Sequence, residues 1–256
     1  MAARSIWNGM ITFGMVNVPV KLFTATDSKT VHFHEVHLRD GSRIEHRKIC
    51  PKHDKVVPND QIEKGFEVSE DEYVVLEDDE VKAAAGDRGK IVEISEFVEA
   101  DAIDPVFYEK TYYVGSRDTK EPYALLLAAL ERSERAGIGR FTFHDREYLV
   151  AVRALDGAIA LHTLRFHDEV VTKKDLELPK GERKPEGKEV KMAKRLVEMM
   201  QTEFKPGDYE DTYRAAVEDL IKRKAKGKEI DLQAEEEPAH GDDLAAALEA
   251  SLGSKD

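Results

Sequence analysis

Six cations fall within seventeen residues, Arg39, Arg43, Arg47, Lys48, Lys52 and Lys55, interleaved with only Asp40, Glu45 and Asp54. Such a cluster can neutralise phosphates, and each neutralised phosphate releases condensed counterions, so binding would weaken steeply with salt. Contacts of that kind fix position on a duplex without reading bases. A solvated loop kept soluble by its charges has the same composition, and composition alone favours that plainer account. Lys21 and Lys29, with Arg140, Arg146 and Arg153, are weaker candidates on or beside strands. Their faces depend on register, and structural ion pairs explain them equally well.

His32, His34 and His37 bear on metal chemistry, because the His-x-His spacing puts two imidazoles on one strand face. Three protein ligands are normally wanted for a catalytic metal, and no neighbouring carboxylate or thiol completes a set. Polar-face histidines are the expected reading. Cys50 and His53 supply two ligands only. No Gly-rich lysine loop, Gly-x-Ser-x-Gly elbow or spaced carboxylate cluster is present, so no catalytic residue, metal or cofactor is expected. The contiguous runs Glu70-Asp71-Glu72 and Glu77-Asp78-Asp79-Glu80 point in different directions along a strand or helix. They read as an outer acidic surface.

The chain of 256 residues carries a formal charge of -13, with 41 % hydrophobic and 36 % charged residues. A local field decides a nucleic-acid site, and the total does not. Residues 61–105 hold 15 carboxylates against 4 cations, and residues 229–256 hold 9 against 1. The remaining stretches, 1–60 and 106–228, are each net +3, so the acidity is confined to two blocks. No run approaches the roughly 18 apolar residues of a membrane span. Nothing at the N-terminus reads as a secretory signal, and a lone cysteine suits a reducing cytoplasm.

The elements that would position these groups are mostly strands. Met10 to Thr26 alternates with period two, and Gly14 and Pro19 are expected to bend it. Val31 to Leu38 reads as a second strand, and Gly41 to Pro58 as a polar excursion from the sheet. Tyr73 to Leu76 is a short apolar run before a helix near Glu77. Strands follow at Ile91 to Val98 and Phe107 to Val114. A helix opens at Glu121-Pro122 and is expected to stop at Gly137. Phe141 to His144, Tyr148 to Ala154 and Ala158 to Phe166 complete the set, the last two joined by an Asp156-Gly157 hairpin turn. About seven strands with one covering helix indicate an α+β, mainly β fold, a closed or nearly closed β-barrel over residues 1–170.

Beyond Val171 the character changes. Leu178 to Lys191 reads as a linker. Two amphipathic helices follow, one striped by Met192, Leu196, Met199 and Met200, the other by Tyr213, Val217, Leu220 and Ile221. Such stripes need a partner surface. After an acidic tail from Glu229, Leu244, Leu248 and Leu252 recur at helical spacing over 243–252. That helix is short enough to order fully only when docked.

Several segments together resemble the prokaryotic Ku family. They are Ser5-Ile6-Trp7-Asn8-Gly9, Phe13-Gly14-Met15-Val16-Asn17-Val18-Pro19-Val20-Lys21-Leu22, Val31-His32-Phe33-His34-Glu35-Val36-His37, Gly41-Ser42-Arg43-Ile44, Lys64-Gly65-Phe66-Glu67, Asp104-Pro105, Lys191-Met192-Ala193, Asp211-Thr212-Tyr213 and the run from Asp243 to Leu252. The resemblance implies a Ku-type barrel with an inserted bridge at about 39–60, and a dimerisation arm over 171–228. It also implies a tail that recruits ATP-dependent DNA ligase D, and non-homologous end joining of double-strand breaks. The bridge cations would then line a homodimeric ring around duplex DNA, Met192, Leu196, Met199 and Met200 would form the dimer interface, and Leu244, Leu248 and Leu252 would meet the ligase. Many relatives carry Cys-x-x-Cys where this sequence has Cys50-Pro51-Lys52-His53, which weakens a zinc reading. The alternative is a single-strand-binding barrel that stacks bases on Phe141, Phe143 and Tyr148.

Overall fold

The computed structural model describes residues 4–85, 90–143, 146–178 and 187–227. They fall into two compact units, Met1–Ser28 with Glu35–Asp175, and Lys29–His34 with Leu176–Asp256.

The first unit is built on a closed seven-stranded barrel, β1 (Trp7–Phe13), β2 (Val16–Thr24), β7 (Ile91–Glu99), β8 (Tyr108–Ser116), β9 (Arg135–Phe143), β10 (Arg146–Leu155) and β11 (Ala158–Leu164). Going around it, the order is β1-β2-β8-β11-β10-β9-β7, and a parallel β1–β7 pairing closes the seam. Alternate residues point inward: Trp7 and Ile11, Val18, Val20 and Leu22, Val92 and Ile94, Val150 and Val152, Ile159 and Leu161. The Trp7 ring meets Phe141 edge-on at 5.1 Å. Closure depends on missing side chains. A Cβ on Gly9 would collide with the Trp7 ring and the Lys90 carbonyl, and one on Gly139 with the Glu93 carbonyl.

Helix α2 (Glu121–Ser133) adds Leu126 and Leu130 to this core, and Tyr123 Oη accepts a hydrogen bond from the Ile159 backbone N–H at 3.1 Å. A second, smaller core lies on the outer face. Ala136, Ala151 and Leu164 are covered by Ala100, Ile103 and Phe107 of the β7–β8 connection. Arg165 fastens that connection, donating from Nη1 to the Tyr108 carbonyl at 2.8 Å while its backbone N–H reaches Phe107 O at 2.8 Å.

Four expectations change. Met10 to Thr26 is two strands, because Gly14-Met15 forms a two-residue turn with φ +55° at Gly14 that pairs Phe13 with Val16. Val31 to Leu38 forms no strand; its exposed backbone has no sheet to join beyond an isolated Val36–Arg43 bridge. The helix expected to end at Gly137 ends instead at Glu134, which adopts the left-handed conformation (φ 54°, ψ 29°), and Gly137 sits inside β9. The apolar run at Tyr73 becomes β6 (Glu72–Leu76), paired with a strand the pattern did not announce, β5 (Lys64–Ser69). Between β2 and β5 lie the two-residue strands β3 (Ile49–Cys50) and β4 (Lys55–Val56) and a short 3-10 turn at Asn59–Gln61. Helix α1 (Asp78–Ala85) follows β6.

In the second unit, α3 (Lys188–Met199) and α4 (Thr212–Ala225) bury no described side chain fully. Asp211 caps α4, accepting from the Arg214 N–H at 2.9 Å. Glu218–Lys222 and Asp219–Arg223 pairs at i, i+4 lace its exposed face.

Candidate nucleic-acid interface

The six clustered cations sit on an excursion between β2 and β5, and all six are exposed. Its first part is a compact loop, residues 35–44. His37 N–H donates to Ser42 O at 2.7 Å, Gly41 N–H to His37 O at 2.8 Å and Ile44 N–H to Glu35 O at 2.9 Å. Asp40 sits within the turn, accepting from the Ser42 N–H at 2.9 Å and the Ser42 hydroxyl at 2.7 Å, with His37 Nδ1 at 3.2 Å. The Ser42 donors hold the Asp40 carboxyl below its ordinary range, so it stays an acceptor. Gly41 supplies φ +72° to complete the turn. The second part is the β3–β4 hairpin. Asp54 takes φ 49° there, and both the His53 and Asp54 N–H groups donate to Cys50 O.

Three carboxylates of this excursion, Glu35, Asp40 and Glu45, are engaged locally. Glu35 lies 3.0 Å from His46, Glu45 lies 3.5 Å from Arg47, and Asp40 is bound as described. Among the described residues, Arg39, Arg43, Lys48, Lys52 and Lys55 form no ion pair, and all are solvent-exposed. The arrangement leaves a surplus of positive charge facing outward on short, hydrogen-bonded turns. Phosphates can meet it without first breaking salt bridges.

The weaker candidates separate. Lys21 lies half-buried on the outer face of β2, opposite in phase to Val20 and Leu22, and pairs in register with Asn8 and Gly115. Lys29 falls in the second unit. Arg140 is bound to Glu147 and Arg146 to Glu169, each at 2.7 Å. Arg153 Nε donates to His162 Nε2 at 3.2 Å. For these three arginines the ion-pair and structural account holds.

His32, His34 and His37 are exposed and lie on no strand, so the one-face geometry expected of them does not form. No group of three or more His, Cys, Asp or Glu gathers at metal-binding distance among the described residues. Cys50 Sγ and His53 Nδ1 approach to 3.3 Å, and this contact, with the Lys52 and His53 backbone N–H groups, pulls the thiol below its ordinary range.

His162 carried no sequence signal, yet it is the buried histidine of the barrel wall. With Nε2 accepting from Arg153, Nδ1 carries the proton and donates to Thr111 Oγ1 at 2.9 Å, and Tyr108 packs edge-on at 5.1 Å. Burial, then the Arg153 charge, pushes its pKa down to about 4. The aromatics of the single-strand alternative are core residues. Phe141 is 2 % exposed and stacks on Phe143 at 5.5 Å, and Tyr148 packs against the same cluster. Leu244, Leu248 and Leu252 lie outside the described residues. No described helix is long and apolar enough to cross a membrane.

A family model described as the Ku70/Ku80 beta-barrel domain matches residues 12–192. The chain is 43 % identical over 255 residues to the non-homologous end joining protein Ku of Anaeromyxobacter sp. (strain K), an alignment that covers 98 % of this chain and 85 % of that one. It is 38 % identical over 251 residues to the protein of the same name from Solibacter usitatus, covering 98 % and 93 %. Against that from Archaeoglobus fulgidus it is 37 % identical over 252 residues, covering 96 % and 99 %. A closed seven-stranded barrel, an exposed cationic excursion and these near full-length likenesses agree: the chain belongs to the Ku family.

Proposed function

We propose that this protein binds the ends of double-stranded DNA without sequence specificity and serves non-homologous end joining in double-strand break repair. Two copies close a ring, the excursions from the two barrels face the duplex, and loading occurs at ends because a closed ring cannot mount a continuous strand pair. The chain itself catalyses no reaction and takes no cofactor. It works in the cytoplasm at chromosomal breaks, where its C-terminal segment, through Leu244, Leu248 and Leu252, brings in an ATP-dependent DNA ligase D.

The observation that carries this reading is the set of cations with no ion pair among the described residues, Arg39, Arg43, Lys48, Lys52 and Lys55, on hydrogen-bonded turns that leave the barrel. Phosphate contact by such a set is indifferent to sequence. The exposed apolar residues of α3, Val197 and Met199, and the following Met200, support a second copy as partner. Met192 and Leu196 lie half-buried on the same helix. The test compares linear duplex with covalently closed circles of the same sequence in a mobility-shift assay over several salt concentrations. Preferential retention of linear duplex, falling steeply with salt, is expected. Equal affinity for both forms would overturn the ring.

A further inference from the structure

Leu38 is the most exposed large apolar side chain of the described residues, at 101 % of its reference area, and it stands in the turn that ends the 35–44 loop. The loop is braced from inside. The His37–Ser42 and Ile44–Glu35 backbone bonds close its stem, the Gly41–His37 bond closes its turn, and the Asp40 carboxylate is consumed by Ser42 and His37. Leu38 therefore projects from a pre-ordered turn whose own carboxylate is engaged within the turn. Arg39 follows it directly and Arg43 returns on the other side of the stem, neither engaged in an ion pair among the described residues. Met15 differs in its surroundings. That side chain is 99 % exposed at the tip of the β1–β2 hairpin, but its neighbours Gly14, Val16 and Asn17 carry no charge.

We propose that the Leu38–Arg39 tip seats in the minor groove of the bound duplex. Leu38 lies against the apolar deoxyribose walls, and the Arg39 and Arg43 guanidiniums take phosphates at the groove's edges. A β-ribbon face would suit the wide major groove. A single projecting leucine beside an arginine matches the narrow groove, whose potential attracts arginine and whose walls accept an apolar wedge. The inference rests on the DNA-facing reading of the excursion. It adds to that reading a shape-dependent contact that neutralises no phosphate.

The experiment uses the full-length protein on A·T-rich linear duplex. Leu38→Ala is expected to weaken binding about tenfold, the worth of one apolar side chain withdrawn from water. It should leave the slope of log affinity against log salt unchanged, whereas Arg39→Ala lowers that slope by about one contact. Netropsin, which fills the minor groove, is expected to bring the wild-type protein to the Leu38→Ala level and to leave that variant unaffected. Glucosylated hydroxymethylcytosine, which crowds the major groove, should do neither. Wild-type affinity in Leu38→Ala would overturn the proposal, as would sensitivity to the major-groove obstruction alone. A shift in the subunit association equilibrium of Leu38→Ala, read by light scattering without DNA, would also overturn it by assigning Leu38 to a contact between copies. Leu38 is fully exposed, so the substitution leaves the fold intact. Failure of the ring would show separately, as equal wild-type affinity for linear and closed circular DNA.

Discussion

His162 is held neutral by a fixed pair of bonds, accepting from Arg153 and donating to Thr111, and burial opposes its protonation. Its folded pKa of about 4 lies below the ordinary 6.5, so between those values the unfolded chain takes up a proton that the folded chain refuses. This contribution to stability is complete above about pH 6.5 and is lost as pH falls toward 4. The ring retains some solvent access, so the loss is about 2 kcal/mol rather than the full value of the shift. His162→Gln keeps an oxygen for Arg153 and removes the titration. The difference in urea-unfolding free energy between the two proteins should be flat above pH 6.5 and narrow in favour of the variant below it. A constant difference would acquit His162. The clustered cations predict a different readout at the same scale. Arg43→Ala should lower the salt slope of duplex binding by about 0.9. Arg140→Ala, which removes a partner of Glu147 2.7 Å away, should leave that slope unchanged.

Among the elements, α2 shows where a sequence rule and a structure part. Glycine is the usual residue past a helix end, and Gly137 looked the part, yet the chain turns three residues earlier on Glu134 with φ 54°. A Cβ in that region carries a steric cost, and glycine avoids it. Glu134→Gly is therefore expected to stabilise the barrel by about 0.5–1 kcal/mol after its extra unfolded-state entropy is deducted. The measure is a raised urea midpoint at unchanged m-value. Gly137 is needed elsewhere, because a Cβ there would press on Ile94 and Phe97 of the neighbouring strand β7. Much of the barrel was legible. Val150, Val152, Ile159 and Leu161 alternate cleanly, and Asp156-Gly157, with φ of 49° and 76°, is the turn its sequence announces. The β1–β2 hairpin was also written in the sequence, as a change of phase. Ile11 and Phe13 occupy odd positions, whereas Val18, Val20 and Leu22 occupy even ones, and only an intervening turn turns both sets inward. Val31 to Leu38 misled because alternation signals a strand only where a neighbour can pair with it. The cations of the excursion were legible by type and spacing. That their neighbouring carboxylates would be consumed by Ser42, His46 and Arg47 was not, because side-chain pairing across a turn leaves no periodic trace.

For the whole molecule, the question is how a chain with a net charge of -13 grips a polyanion. Under the proposed reading, local surplus on the excursion accounts for attraction, but a single exposed patch would release DNA readily at physiological salt. Retention under the ring hypothesis comes from closure by a second copy, so assembly and DNA affinity must rise and fall together. A two-fold interface uses each patch twice, and one substitution therefore alters two places. Leu196 is half-buried on α3, with the exposed Val197, Met199 and Met200 around it. If α3 forms the proposed contact between copies, Leu196→Glu places a carboxylate there without a partner, where it resists desolvation. The expected outcome is a halved solution mass by light scattering at micromolar protein, with end-binding weakened at least tenfold. The barrel's urea midpoint should be unchanged, since the substituted side chain is no part of the barrel core. Residual binding by the variant should no longer distinguish linear from closed circular duplex, because a monomer has nothing to thread. A variant that becomes monomeric and still prefers linear DNA would show that end recognition resides in one chain, and the ring would then be the wrong account of it.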